Sequence, residues 1–322
     1  MRNEGPYRAP AEQSGPGGLA PPRPQPALGA RRTRNLRLSL GRCGSRCDMS
    51  YRISIAMTLI VTVALLAACT PARHSAVSGP TGTGGMASGT PTAHHFAGTR
   101  TVGALFLPGF PVHTCTASVV DSSAGNLLIT AAHCLSGTGN GDVFVPGYHK
   151  GIEPFGSWTV VSAYGAPEWI ARQAPQEDFA FLVVAPRQVN GRPEQIQEVT
   201  GGNQLGTAPA SGDRVTVPAY ALGNDDDPIT CTTRVYHDAG YPAFDCDPYA
   251  DGTSGAPWLE HRSDGWSVVG VIGGLHQGGC DPWTSYSAAF GPTTLAIASS
   301  AATGAGSSTF PPVGSDGCST GL

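Results

Sequence analysis

Three short segments hold residues whose types and spacing suit acyl-transfer chemistry. Thr130-Ala131-Ala132-His133-Cys134 follows an apolar run, and Glu177-Asp178-Phe179-Ala180-Phe181-Leu182 opens another. Asp251-Gly252-Thr253-Ser254-Gly255-Ala256-Pro257 fills a glycine-rich turn. A serine hydroxyl is a weak nucleophile at neutral pH and needs a base within hydrogen-bond reach, itself held by a third group. Histidine suits the base, because its pKa lies near the working pH. A buried aspartate on the other ring nitrogen fixes the tautomer and stabilises the imidazolium. Glycines around Ser254 let the backbone aim N–H groups at one point, which makes an oxyanion hole. Singly, His133 reads as a core histidine, Asp178 as a strand-edge carboxylate and 252–257 as a tight turn. Together, in the order His, Asp, Ser at intervals of 45 and 76 residues, they point to one site.

The elements that must position these residues are short and β-prone. Apolar runs punctuated by Gly, Pro, Asn and Asp predict strands at Thr101–Leu107, Thr114–Val120, Leu127–Thr130, Trp158–Tyr164, Phe179–Val184, Arg214–Ala219, Thr230–Tyr236, Trp266–Leu275 and Tyr286–Phe290. Such spacing indicates an all-β sandwich or barrel. The Ala- and Leu-bearing stretch Thr293–Ala302 predicts one C-terminal helix. Six cysteines, Cys115, Cys134, Cys231, Cys246, Cys280 and Cys318, form an even set in this body and argue for three disulfides. Six cysteines admit about 15 connectivities, and the sequence alone does not choose.

The 322 residues include 44 Gly and 28 Pro, too few for a collagen-like chain, while 40% apolar residues leave material for a sizeable core. Residues 1–52 carry ten Arg against three acids, a net of +7, whereas 53–322 carry 20 acids against nine bases, a net of −11. The acidic body argues against nucleic acid as a partner. Residues 1–48, rich in Pro, Gly and Arg without hydrophobic period, read as disordered or as a mis-called extension ahead of Met49. Cys43 and Cys47 have no partner pair at metal-site spacing. The basic start at Met49–Arg52, the 16-residue uncharged run Ile53–Ala68 and the ending Leu66-Ala67-Ala68-Cys69 make 49–68 a signal peptide. The ending resembles a bacterial lipobox, with lipidation expected at Cys69; ordinary secretion is the plainer reading. Residues 69–98, mostly Thr, Gly, Ser, Pro and Ala, read as a flexible tether in which His94-His95 is a solvated pair. The β-rich body is expected over 99–303, followed by a C-terminal tail over 304–322.

The Thr-Ala-Ala-His-Cys, Asp-Phe-Ala-Phe-Leu and Gly-Thr-Ser-Gly-Ala-Pro runs resemble those of the chymotrypsin/trypsin family of serine peptidases, and the text of the chain resembles secreted actinobacterial members. The chain order matches that family and not subtilisins or α/β-hydrolases. The resemblance spans about Thr101 to Ala302. It implies two packed six-stranded antiparallel β-barrels with a C-terminal helix, the first holding His133 and Asp178 and the second Ser254. It implies His133 as general base, Asp178 as its orienter, Ser254 as nucleophile, and the backbone N–H groups of Gly252 and Ser254 as the oxyanion hole. It implies a disulfide Cys115–Cys134 beside the histidine. Cys231–Cys246 as a hairpin staple and Cys280–Cys318 as a tie for the tail accompany it, the connectivity of these four staying open. Gly273, Gly274 and Leu275 align with the edge that pairs with substrate backbone, and His276 falls at the rim. The implied function is an extracytoplasmic serine endopeptidase acting on protein or peptide substrates as a monomer, without metal or cofactor, and touching membrane only through Cys69. A catalytically silent peptidase-fold binding protein at the cell surface is the alternative.

The chain departs from the family at two places. Thr253 stands where activated zymogens place an aspartate to pair with a freshly cut N-terminus, so Arg100-Thr101-Val102-Gly103 is expected to be a first strand and not an activation site. Pro248 stands where trypsin-specific enzymes place an aspartate, with Asp247 beside it, so basic specificity is not implied. The acidic loop Asn224-Asp225-Asp226-Asp227-Pro228 lacks the spacing of a calcium loop and reads as a solvated turn. Trp158, Trp169, Trp258, Trp266 and Trp283 read as core or cleft wall.

Overall fold

The computed structural model describes residues 86–222 and 227–318. The strands in chain order are β1 (His94–His95), β2 (Val102–Phe106), β3 (Cys115–Val120), β4 (Leu127–Thr130), β5 (Val143–Pro146), β6 (Trp158–Gly165), β7 (Ala180–Val184), β8 (Arg187–Val189), β9 (Arg192–Glu194), β10 (Gln204–Leu205), β11 (Arg214–Ala219), β12 (Ile229–Asp238), β13 (Tyr241–Asp245), β14 (Pro257–Arg262), β15 (Gly265–Val271) and β16 (Thr284–Tyr286). The helices are α1 (Pro167–Arg172), α2 (Ile196–Thr200) and α3 (Pro292–Thr303).

Strands β2, β3, β4, β7, β6 and β5, in that order, close an antiparallel barrel. Strands β3 and β4 are buried on both faces, which explains why they read as continuous runs of small and apolar residues. Cys115, Ala117 and Val119 of β3 point into the barrel with Leu128, Leu182 and Val184, following the two-residue period of a strand. Val102, Ala104, Val120, Ile129 and Phe181 face outward, where they join Tyr220, Leu259, Val268, Val271 and Phe290 of the second half in one continuous core.

The second half is an eight-stranded sheet ordered β10-β15-β14-β11-β12-β13-β16, with β1 on β12. It is larger than the six strands expected because β1 and the parallel strand β10 add to its edges. Helix α3 packs Thr294, Ile297, Ala298 and Ala301 inward, positions spaced three and four apart on one helix face. Pro292 opens it, and Gly304 closes it at φ 71°, a left-handed cap that glycine adopts without strain.

Three expectations change. The tether is anchored before residue 98: Ala93 donates to the Asp247 carbonyl (2.7 Å), and His94–His95 pairs with Ile229–Thr230. The free ladder groups of the β12 edge supply the reason, while both histidine side chains stay exposed. The strand expected at Trp266–Leu275 ends at Val271, and Tyr286–Phe290 contributes only its first residue to β16. Strands β5, β13 and β14 were not expected, since Pro146, Pro242 and Pro257 break their patterns. The tail is structured as far as Cys318, with Phe310 buried in the barrel core. Residues 1–85, including Cys43, Cys47 and Cys69, lie outside the described residues, as do Asn224, Asp225 and Asp226 of the acidic loop. Asp227 is held by Lys150 Nζ (2.8 Å) and His149 Nδ1 (2.8 Å), and the lysine draws its pKa below the usual carboxylate value.

Candidate active site

His133 sits in the single helical turn Ala132–Cys134 that follows β4, and the disulfide Cys115–Cys134 ties that turn to β3. Asp178 ends the turn Pro175–Glu177, just before β7. Since β4 and β7 are adjacent barrel strands, the two side chains meet. His133 Nδ1 lies 2.7 Å from Asp178 Oδ2, and the His133 backbone N–H donates to Asp178 Oδ1 at 2.9 Å. The Gly274 N–H, from the second half, donates to Oδ2 at 2.9 Å. Asp178 has 0% exposure and His133 9%. A buried carboxylate needs such donors, and three N–H groups satisfy it. A carboxylate against Nδ1 places the proton there and leaves the Nε2 lone pair facing out.

Ser254 stands half-buried on the turn before β14. Two left-handed glycines give the turn its shape, Gly252 at φ 91° and Gly255 at φ 78°. A Cβ at Gly255 would lie 2.1 Å from Thr130 Oγ1 and 2.3 Å from the Thr116 carbonyl, so the turn presses directly on the barrel. Thr116 fastens it there. Its N–H donates to the Ser254 carbonyl (2.8 Å), and its hydroxyl donates to the Gly252 carbonyl (3.2 Å) while accepting the Tyr220 N–H (3.0 Å). The Asp251 carbonyl accepts the Leu222 N–H at 2.7 Å. In a trans peptide the N–H points opposite to the carbonyl, so the Gly252 N–H faces away from Leu222. Among the described residues neither the Gly252 nor the Ser254 N–H is donated to a protein acceptor. Thr253 is buried, with its hydroxyl donating to the Ala250 carbonyl (2.7 Å).

Two cavities meet at Ser254. One, of about 370 Å³, is lined by His133, Gly252, Ser254, the Cys115–Cys134 disulfide and, opposite, by His276 and Gln277. The other, of about 410 Å³, runs from Ser254 past Tyr249, Ile272, Gln277–Cys280 and Ser285. Asp251 and Asp281 lie on its wall, and among the described residues no Lys, Arg or His does. Pro248 and Asp247 do not line it; the Asp247 backbone is bonded to Pro91 and Ala93 instead.

The edge expected at Gly273, Gly274 and Leu275 lines neither cavity. Gly274 is engaged by Asp178, and a Cβ at Gly273 would stand 2.8 Å from the Asp178 carbonyl. Leu275 begins a helical turn, because His276 and Gln277 adopt φ of 54° and 52° and curl the chain. Gln277–Gly279 take the cavity wall in their place. Sequence reasoning also passed over Thr116, which fastens the Ser254 turn, and over Leu222, Val313 and Asp316, which line the smaller cavity. The Cys280–Cys318 pair carried a signal for the last two, since that bond draws the tail to the site. Cys231–Cys246 staples β12 to the residue after β13. His276, Cys280 and Cys318 gather within 4.8 Å, but the disulfide uses both sulfurs and leaves no thiolate for a metal.

A closed antiparallel barrel packed on a second sheet, with a His–Asp pair from one and a serine turn from the other, has the architecture of trypsin-like peptidases. Residues 115–271 match the family model for the trypsin-like peptidase domain. Its fold is that of bacterial serine proteases. The protease Anisep of Arthrobacter nicotinovorans is 24% identical, with 66% of this chain and 100% of that one covered and a TM-score of 0.57. The thermostable serine protease AL20 from an extremophilic microorganism is 22% identical, covers 64% and 98%, and scores 0.55. A Glu endopeptidase solved in complex with MPD is 17% identical, covers 67% and 98%, and scores 0.51. No curated protein sequence matches the chain.

Proposed function

We propose that this chain is an exported serine endopeptidase that cleaves protein or peptide bonds through an acyl-enzyme. The observation that carries the reading is the buried His133–Asp178 pair facing the same cavity as Ser254. His133 Nε2 takes the proton from Ser254 Oγ as that oxygen attacks the carbonyl carbon. The developing oxyanion is drawn to the N–H groups of Gly252 and Ser254. His133 then returns its proton to the leaving amine, and water repeats the sequence to free the acid. Asp178 keeps the imidazole in its tautomer throughout. The larger cavity takes the side chain next to the scissile carbonyl. Its two carboxylates, with no cationic side chain among the described residues of its wall, select against an acidic residue there.

Activity without cleavage after Arg100 is part of the same reading. Val102 is buried in a strand paired on both sides, and Thr253 is already held by the Ala250 carbonyl. Three disulfides support an oxidising compartment. The lipobox-like ending proposes an anchor at Cys69; a Cys69→Ser chain released from the membrane fraction into the medium supports it, and unchanged fractionation counts against it.

A fluorophosphonate probe tests the assignment. We expect an adduct on Ser254 in the uncut protein and none in His133→Ala. Labelling that appears only after a cut following Arg100 overturns the unprocessed site, and no labelling in either form favours a silent binding protein.

A further inference from the structure

The last described residues form a strap across the cleft. Phe310 anchors it in the barrel, buried beside Gly165 and bonded both ways to Gly137 (3.0 and 2.6 Å). From there the chain leaves the barrel and ends on the second half at the Cys280–Cys318 disulfide. Three side chains hold its backbone between those points. Gln173 Nε2 donates to the Pro312 carbonyl (2.7 Å), and Gln277 Nε2 donates to the Gly314 carbonyl (2.9 Å). His276 Nδ1 lies 2.9 Å from the Asp316 carbonyl. All three are non-glycine residues with left-handed φ, between 52° and 54°. Such backbone is costly and persists where surrounding contacts hold it. Gln173 precedes Asp178, and Gln277 follows Gly274, so the strap spans the seam where the two halves join at the Asp178 carboxylate.

Val313 and Asp316 of the strap line the same cavity as His133 and Ser254. That cavity is bounded on one side by Leu107, Thr114 and the Cys115–Cys134 disulfide, and on the other by His276, Gln277, Gly279 and the strap. Gln277 and Gly279 also line the larger cavity, which takes the side chain next to the scissile carbonyl under the function proposed above. The strap side is therefore the side from which the acyl half of a substrate arrives. On that reading, we propose that the strap Phe310–Cys318 determines specificity by limiting acyl-side length, with Val313 and Asp316 as the residues a longer substrate meets. The enzyme would favour substrates with few residues ahead of the cut.

The test uses fluorogenic peptide amides with one residue and one leaving group fixed at the cut and one, two, four or six residues on the acyl side. The full chain is compared with Cys318→Ser, which frees the strap's end, and with a chain ending at Phe310, which keeps the buried anchor. Rates are expressed per Ser254 site titrated with the fluorophosphonate. In the full chain kcat/KM should stay level or fall from two to six residues. The six-to-two ratio should rise at least tenfold in the truncated chain and severalfold in Cys318→Ser. The same length profile in all three, with Ser254 labelled normally, overturns the strap proposal and leaves the peptidase reading intact. If the truncated chain does not fold, Cys318→Ser decides alone. Absence of labelling in the full chain, both before and after a cut following Arg100, overturns the peptidase reading, and the strap proposal with it.

Discussion

In the closed barrel, His133 is fixed by two hydrogen bonds to the fully buried Asp178 carboxylate; in the second sheet, half-buried Ser254 stands on a turn shaped by left-handed glycines. The barrel supplies orientation, and the sheet supplies backbone N–H groups and cavity walls. Each half nevertheless reaches into the other. Gly274 of the sheet half completes the Asp178 donors, and Thr116 of the barrel pins the Ser254 turn. The difference teaches that the two kinds of site demand different residues. A proton-relay pair tolerates only residues with the right titrating atoms, whereas an oxyanion-type turn depends on what lacks a side chain. Substitutions should therefore fail differently in the two halves.

The largest effect is expected at Asp178. Three N–H donors converge on its two oxygens, so an asparagine amide has no oxygen to spare for one of them. Its NH₂ must face a donor or force His133 into the other tautomer. Asp178→Asn should lower kcat by about 10⁴-fold with little change in KM, the size known for the trypsin-like template itself. Steady-state kinetics on a short peptide amide checks this, and a loss below tenfold would remove Asp178 from the site.

On the sheet side the corresponding break is steric. Gly255→Ala puts a methyl 2.1 Å from Thr130 Oγ1 at a backbone conformation that alanine adopts poorly. We expect a loss of about 3 kcal/mol or more, read by denaturant unfolding. Stability within about 0.5 kcal/mol of the parent would show that the turn does not press on the barrel as described.

Thr116→Val sharpens the comparison, because it cuts the barrel's grip on the turn without touching the His–Asp pair. It removes the acceptor of the buried Tyr220 N–H and the donor to the Gly252 carbonyl. The cost should be about 1–3 kcal/mol in stability. Under the proposed function, activity should fall through kcat, because that reading assigns the Gly252 N–H to the oxyanion. A stability loss with kcat unchanged would separate the turn's anchoring from its chemistry.

The asymmetry between halves also governs what could be read from the chain. The His and Ser runs are legible because each packs its chemistry into consecutive residues with fixed roles. Strands such as β4 are legible because burial on both faces leaves unbroken apolar runs such as Leu127–Ile129. The cavity wall was not, since Leu222, Tyr249, Gln277 and Ser285 lie in four separate segments and no local pattern joins them. The curl at His276 and Gln277 was equally hidden. Neither residue favours left-handed backbone, and their conformation comes with bonds to a tail some 40 residues on. Phe310 looked like part of a tail because one aromatic residue in a Gly- and Ser-rich stretch carries no period.

The smallest expected effect lies in the barrel but away from the site, and it isolates burial from catalysis. Asp142 is buried, and its Oδ2 has no hydrogen-bond partner among the described residues. Burial pushes its pKa from 3.8 up to about 6. A carboxyl whose folded pKa is raised favours the fold while protonated. That contribution is complete below pH 3.8 and disappears as pH rises through about 6, because the unfolded chain ionises freely while the folded one resists. At pH 7 the residue therefore costs stability. After allowance for solvent screening near the loop surface, the amount is about 1–2 kcal/mol. Asp142→Asn should raise unfolding free energy by that amount at pH 7 and by almost nothing at pH 4, while leaving kcat/KM unchanged. Urea unfolding of both proteins across that range measures the difference directly. A gain that is equal at both pH values would trace the effect to packing of the amide and not to the buried charge.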